Sequence, residues 1–455
     1  MENKNALEKK LEMYIWEIKS LLRGSSRETS NLIALDLIFI QLLEIMKKDN
    51  RLNINDYIKG ELNLIETKTD VEYEYAVEAF AKLNPIIGDL ITDSIKTIRK
   101  CGEDVLTRNL RGYNFCFYDD IEDVGEFFKK AIYIINVNGR GHSDSYITPN
   151  SICKLIAVLL KDEEARDIFD QTVGSGCLLS EVAKYHKDAE LFGQDIVSNS
   201  LKICEMLLIL TGKFKSVENI KQGNTLTDPA FLESDFKIRN FDIVISDMPF
   251  AVRNYGFEII KDDKYKRFHR GVPVKSMGDY AFITNLVESI NENGTGVIIV
   301  PAGVLFRIGA DAKIRTSFIE ENLIDCIIAL PNNILSYTAI AINLIIFKKN
   351  RKSEEVLFID ASKEGVTDKK VTQLDDKAID KIKLAYDNRE DVEGFSKVVK
   401  REEIQENGYN LGVQKYVIPI IEREELDFDK LSLEAIEIGK KLGSIGDKLN
   451  SIFKS

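Results

Sequence analysis

Beyond residue 138, short runs rich in Val, Ile and Phe alternate with longer helical patterns, and no other feature narrows the fold class as far. The runs Ala165–Asp170, Ala189–Asp195, Val217–Gln222, Phe241–Ser246, Gly296–Val300, Leu323–Leu330, Ile342–Lys348 and Val356–Asp360 read as strands. Between them, Ser151–Leu160, Cys177–Tyr185, Ser198–Leu210, Asp279–Asn291 and Asp311–Glu321 read as helices. This alternation predicts an α/β fold, a mostly parallel sheet with helices on both faces. Ligands of such sheets sit beyond the carboxyl ends of the strands.

The earlier residues have a different texture. Leu7, Leu11, Tyr14, Ile15, Ile18, Leu21 and Leu22 recur at helical spacing, and Leu32 to Met46 forms a more apolar helical run. Val71–Lys82 and Val124–Tyr133 continue the pattern. Near the other end, Leu431, Ala435, Ile438, Leu442, Ile445, Leu449 and Ile452 form a heptad-like stripe. The expected organisation is an all-helical N-terminal domain over residues 1–138, an α/β domain over 139–416 and a C-terminal helical tail over 417–455.

Composition excludes several function classes. The 455 residues carry 62 Lys+Arg against 74 Asp+Glu, a net charge of −12, which is unsuited to gripping nucleic acid over the whole surface. The histidines, His142, His186 and His269, lie far apart, so a histidine metal site or a Ser-His-Asp triad is poorly supported and no metal is expected. Cys101, Cys116, Cys153, Cys177, Cys204 and Cys326 form no C-x-x-C pair and read as buried thiols in a reducing compartment. The first residues hold no apolar signal core, and no stretch approaches a membrane span. A cytoplasmic protein without membrane association is expected.

The chemistry concentrates at strand ends. Phe169-Asp170-Gln171-Thr172-Val173-Gly174-Ser175-Gly176-Cys177 is a strand ending in an acid, a glycine turn and a helix start. Leu179 stands where a dinucleotide fingerprint needs its third glycine, which weakens a pyrophosphate-binding reading. Asp195 closes the second strand, where an acid accepts the ribose hydroxyls of an adenosine. Asn224 follows the third strand and can read an adenine edge. Tyr146-Ile147-Thr148-Pro149 opens a helix, a favourable place for a carboxylate. Together, Tyr146, Thr148, Pro149, Asp170, Gly174, Ser175, Gly176, Asp195 and Asn224 can hold both ends of S-adenosylmethionine (SAM).

The fourth strand delivers Asp247-Met248-Pro249-Phe250 to the same edge. An exocyclic adenine amine is a poor nucleophile because its lone pair is delocalised into the ring. The Asp247 side chain and the Met248 carbonyl can accept its two hydrogens and favour the cationic transition state. Pro249 shapes the turn, and Phe250 can stack on a base drawn out of a duplex.

In this order of motifs the chain resembles the modification (M) subunits of type I restriction–modification systems, the gamma-type N6-adenine DNA methyltransferases. The likeness rests on Thr148-Pro149, Gly174-Ser175-Gly176 and Asp247-Met248-Pro249-Phe250, and extends through Gly278-Asp279-Tyr280-Ala281-Phe282, Val300-Pro301-Ala302-Gly303 and Tyr409-Asn410-Leu411. It covers roughly residues 140–416. The family's Asn-Pro-Pro-Phe is here Asp-Met-Pro-Phe, and its Asp-Pro pair in the glycine motif is Asp170-Gln171.

The resemblance implies a Rossmann-like SAM-dependent methyltransferase sheet and DNA as substrate. It also implies a DNA-specificity subunit as partner, and in some assemblies a restriction subunit. It places the basic strip Arg253, Lys261, Lys264, Lys266, Arg267, His269, Arg270 and Lys275 on the DNA side. Two other readings fit the same residues: a methyltransferase with a non-DNA acceptor, and a SAM-binding assembly protein with weak or absent catalysis.

Overall fold

The computed structural model describes residues 2–22, 25–64, 70–100, 121–137, 147–335, 340–368, 371–419 and 428–452. They fall into two compact units, Met1–Val417 and Ile418–Ser455. The second consists, among its described residues, of Ile418, Pro419 and the helix Phe428–Ile452. The expected boundary at residues 138 and 139 lies outside the described residues.

The first unit begins with helices α1 (Glu2–Leu21), α2 (Arg27–Lys48), α3 (Asp70–Leu83), α4 (Pro85–Lys100) and α5 (Val124–Val137). Ser26 starts α2 by accepting the Thr29 amide with its side chain at 3.1 Å. Contrary to the sequence expectation, α2 is long and apolar enough to cross a membrane by length and composition. It is instead the core of this helical block: 83% of its apolar window is buried, with Asp36, Gln41 and Glu44 enclosed among the aliphatics. Lys202, from the α/β region, reaches Asp36 at 3.3 Å.

Nine strands form the main sheet: β1 (Asp167–Asp170), β2 (Glu190–Asp195), β3 (Ile220–Gln222), β4 (Phe241–Asp247), β5 (Ile290–Pro301), β6 (Ile324–Ala329), β7 (Ile342–Lys348), β8 (Val356–Asp360) and β9 (Ser396–Val399). Their spatial order is β9-β8-β6-β7-β5-β4-β1-β2-β3. Neighbours from β5 to β3 run parallel, as do β6 and β8. Strand β7 is antiparallel between β5 and β6, and β9 is an antiparallel edge.

Alternation along each strand sorts side chains to two faces. Ile168, Ile243, Ile245, Val297 and Ile299 pack with α6 (Asn150–Leu160), α7 (Cys177–Val182), α8 (Ser198–Leu210) and the helical block in one continuous core. Phe169, Val244, Ile298 and Val300 face α9 (Asp279–Ser289) and α10 (Ala310–Glu320) in the second. Each such buried aliphatic contributes roughly 1.5–3 kcal/mol. Cys153, Cys177, Cys204 and Cys326 are buried free thiols; Cys101 and Cys116 lie outside the described residues.

Candidate active site

Strand β1 lies between β2 and β4, so the connections leaving its neighbours diverge and open a crevice at the carboxyl edge. A cavity of about 590 Å³ occupies it. Asp170, Asp195 and Asp247 line it, with Asn224 and the glycine turn, and among the described residues no lysine, arginine or histidine lines it.

Asp170, at the end of β1, is 1% exposed and accepts the Thr172 amide at 3.0 Å. Burial pushes its carboxyl well above the ordinary range; the Thr172 amide opposes this, and the charges of Asp247 and Asp195 reinforce it. The turn that follows needs its glycines: φ is +51° at Gly174 and +77° at Gly176. A Cβ on Gly176 would stand 2.6 Å from the Cys204 Sγ on α8. Gly176 thus permits close packing of two helices and is not among the lining residues, whereas Gly174 and Ser175 are.

Asp195 does more locally than face a ligand. Its Oδ2 accepts the Gly174 amide at 3.0 Å and its Oδ1 accepts the Val197 amide at 2.9 Å, so the end of β2 braces the turn after β1. Burial raises its pKa against these bonds. Asn224 lines the cavity while its Oδ1 accepts the Leu226 and Thr227 amides at 2.9 and 3.3 Å.

The β4 strand presents Asp247 across the crevice. Burial moves its pKa up to about 6, and a bond from Thr148 pulls in the opposite direction. Thr148 Oγ1 donates to Asp247 Oδ2 at 2.6 Å, a contact sequence spacing does not reveal. Met248 is 2% exposed and its side chain joins the second core, Pro249 is exposed, and Phe250 is half-buried against both cores. Pro149 caps α6 outside the lining, and Tyr146 lies outside the described residues.

Other residues hold these loops and were not singled out for that role in the sequence. Asp279, at the start of α9, accepts the Ala251 amide at 2.8 Å, and the Gly278 amide donates to the Val252 carbonyl at 2.8 Å. Arg307 pairs with the second Asp279 oxygen. Gln171 donates to Ser246 Oγ at 3.1 Å and to the Phe282 carbonyl at 3.0 Å, and accepts from Asn285 Nδ2 at 2.6 Å. The only forewarning was that Gly278-Asp279 forms part of a family-like motif and that Gln171 departs from one.

The basic strip divides: the Arg267 and Arg270 side chains are enclosed in the fold, while its other members stand at the surface. Arg267 is 2% exposed; it donates to Asn285 Oδ1 at 2.7 Å and to the Thr225 and Leu226 carbonyls at 3.1 and 2.6 Å. Arg270 binds Glu321 and Glu288, and Lys261 and Lys275 both bind Glu258. Arg253, Lys264, Lys266 and His269 are exposed.

Comparison with known proteins agrees with this architecture. The family model for N-6 DNA methylases matches residues 119–425. The MpnII type I restriction enzyme methylase subunit of Mycoplasma pneumoniae is 28% identical over 90% of this chain and 79% of its own length. The MjaVII methylase subunit of Methanocaldococcus jannaschii is 30% identical over 89% of this chain and 74% of its own. In structure, the type I restriction–modification methyltransferase subunit of Streptococcus thermophilus superposes with a TM-score of 0.71 at 23% identity, over 91% of this chain and 100% of that one. The chain belongs to the N-6 DNA methylase family of adenine-N6 DNA methyltransferases, together with the methylase subunits of type I restriction enzymes.

Proposed function

We propose that this chain is the catalytic subunit of a type I-like restriction–modification assembly, methylating N6 of an adenine flipped out of DNA with SAM as donor. A separate DNA-specificity subunit reads the sequence, and a restriction subunit completes the assemblies that cleave. The observation that carries the cofactor reading is the charge of the cavity: among the described residues, three aspartates and no cationic side chain line it. Such a lining favours a cationic adenosine ligand and disfavours the phosphates of a nucleotide. The partner reading is supported by the relatives being named as subunits and by the net charge of −12.

SAM held there would supply a sulfonium-activated methyl group, the N6–carbon bond forming as the carbon–sulfur bond breaks with its electrons left on sulfur. Asp170, Asp195 and Asn224, with the Gly174-Ser175 turn, would hold the donor, and Thr148, which also lines the cavity, would stand at its amino-acid end. Ionised Asp247 would accept one hydrogen of the amine and the Met248 carbonyl the other, which stabilises the positive charge growing on N6. Phe250 would stack on the base, and Pro249 would shape the turn beneath it. The proton released from N6 passes to Asp247 or to solvent.

The test is transfer of labelled methyl from SAM by the chain assembled with its specificity subunit, with DNA, RNA and protein offered as acceptors. Asp247→Ala is expected to abolish transfer to DNA while SAM binding persists. Loss of both in a folded variant overturns the role of Asp247, and transfer to protein alone overturns the acceptor. SAM binding without transfer by the complete assembly would favour a non-catalytic assembly role.

A further inference from the structure

The bond from Thr148 to Asp247 is the inner half of a longer connection. Thr148 is 8% exposed, its backbone set by the proline that follows. Its hydroxyl donates to Oδ2 of Asp247 at 2.6 Å, which leaves Oδ1 of that carboxylate for another donor. Its carbonyl accepts the hydroxyl of Tyr133 at 2.8 Å, and the Cys153 thiol lies 3.6 Å from the same oxygen. Tyr133 belongs to α5, the last helix of the helical block. That helix is anchored to the α/β region by a buried ion pair between Lys129 and Glu181 on α7.

We propose that Tyr133 and Thr148 are positioning residues for the catalytic carboxylate, a two-bond relay through which the helical block orients Asp247. Thr148 thereby serves the acceptor side of the reaction through Asp247, beyond flanking the cofactor. A hydroxyl donor bonded to one oxygen favours the ionised form and fixes the carboxylate plane, so that Oδ1 is presented to the incoming amine. Tyr133 fixes the Thr148 carbonyl and so restricts rotation of the turn that carries the hydroxyl. The inference rests on the catalytic reading of Asp247.

The surroundings of the carboxylate make its titration interpretable. Among the described residues, the charged groups facing it are Asp170 on β1 and, beyond that, Asp195 on β2. Strand β5 places Ile299 beside it, and among the described residues the turn before α6 contributes Thr148. Loss of the hydroxyl therefore leaves, among the described neighbours, two acids and apolar side chains, none of which favours the ionised state.

The test is a carbon-13 titration of the Asp247 carboxyl in the full chain, its signal assigned by loss in Asp247→Asn. Thr148→Val is expected to move the midpoint upward by about one pH unit, and Thr148→Ser to restore it. Thr148→Ala gives the same reading if valine perturbs the turn. Tyr133→Phe keeps the ring and is expected to move the midpoint the same way by less, adding nothing on the Thr148→Val background. A midpoint unmoved by either single substitution, or independent additive shifts, overturns the relay. The titration needs no activity, so an inactive wild-type assembly would refute the proposed function while leaving this outcome readable.

Discussion

Asp279 Oδ1 accepts the backbone amide of Ala251 at 2.8 Å, and so ties the start of α9 to the loop that leaves the Asp247-Met248-Pro249-Phe250 tetrad. Ala251 has φ of +54°, a left-handed conformation that a residue with a Cβ adopts only when held there. Arg307 pairs with the same carboxylate, so a residue beyond β5 secures the loop after β4.

Asp279→Ala is expected to leave the Ala251 amide and Arg307 without their partner. Losing these bonds loosens the loop that follows the tetrad, and kcat for methyl transfer should fall about tenfold, or roughly 1.4 kcal/mol. SAM affinity should be unchanged, because the residue braces the acceptor side. Steady-state kinetics of the assembly alongside calorimetry of SAM binding separates the two.

Asp195→Ala should show the opposite division. It frees the Gly174 and Val197 amides and loosens the turn that faces the cofactor. SAM affinity is expected to fall by at least about tenfold, or 1.4 kcal/mol. Saturating SAM should recover most of kcat.

The pH profile should carry the signature of Asp247. Its pKa is raised to about 6, so below that pH the group is protonated and cannot accept the amine hydrogen through a charged oxygen. Transfer should rise as pH passes through about 6 and level off above it. Asp247→Asn should remove this acid limb while retaining measurable transfer, since an amide oxygen still accepts.

Asp170 links cofactor binding to protons and to stability. Its carboxyl is raised well above its ordinary pKa in the ligand-free cavity, and a bound cation favours the ionised form. SAM binding should therefore release protons, seen as a dependence of the calorimetric enthalpy on the buffer, and Asp170→Asn should abolish that release. For an acid with a raised folded pKa, the stabilising contribution is full below the unfolded pKa and is lost as pH rises through the folded value. Asp170→Asn should thus raise the Tm of the ligand-free chain most at alkaline pH, while it weakens SAM binding.

Gly176→Ala should destabilise the fold. The substitution meets a positive φ and a Cys204 Sγ only 2.6 Å from the new Cβ, inside the α7–α8 packing. A cost of roughly 1–3 kcal/mol is expected, read as a lowered Tm that Cys204→Ala partly restores.

Much of the α/β architecture was legible in order of residues alone. Strands β7 and β8 and helix α8 have the bounds read from the pattern, because an element that buries one or both faces writes its own period into the sequence. Strand β5 does not: it starts at Ile290, which pairs with Phe241, ahead of the expected Gly296, and the polar residues before Thr295 sit at a register shift that breaks the local pattern. Nor does local pattern say that β7 inserts antiparallel between β5 and β6. Helix α2 shows the same limit, since only the surrounding helices reveal that so long and apolar a segment is a core helix.

The sequence by itself determined the element types, the acids and glycines at the strand ends and the family to which they belong. These depend on neighbours within a few residues and on motif spacing. The tertiary structure alone decided what those groups touch: that Asp195 braces Gly174, that Arg267 is interior, and that Thr148 donates to Asp247 across 99 residues of chain. Each of these bonds exists only after the strand order has placed β1 between β2 and β4 and the helical block has packed against the sheet. A hydrogen bond is specified by distance and angle in space, and for partners so far apart the fold supplies both.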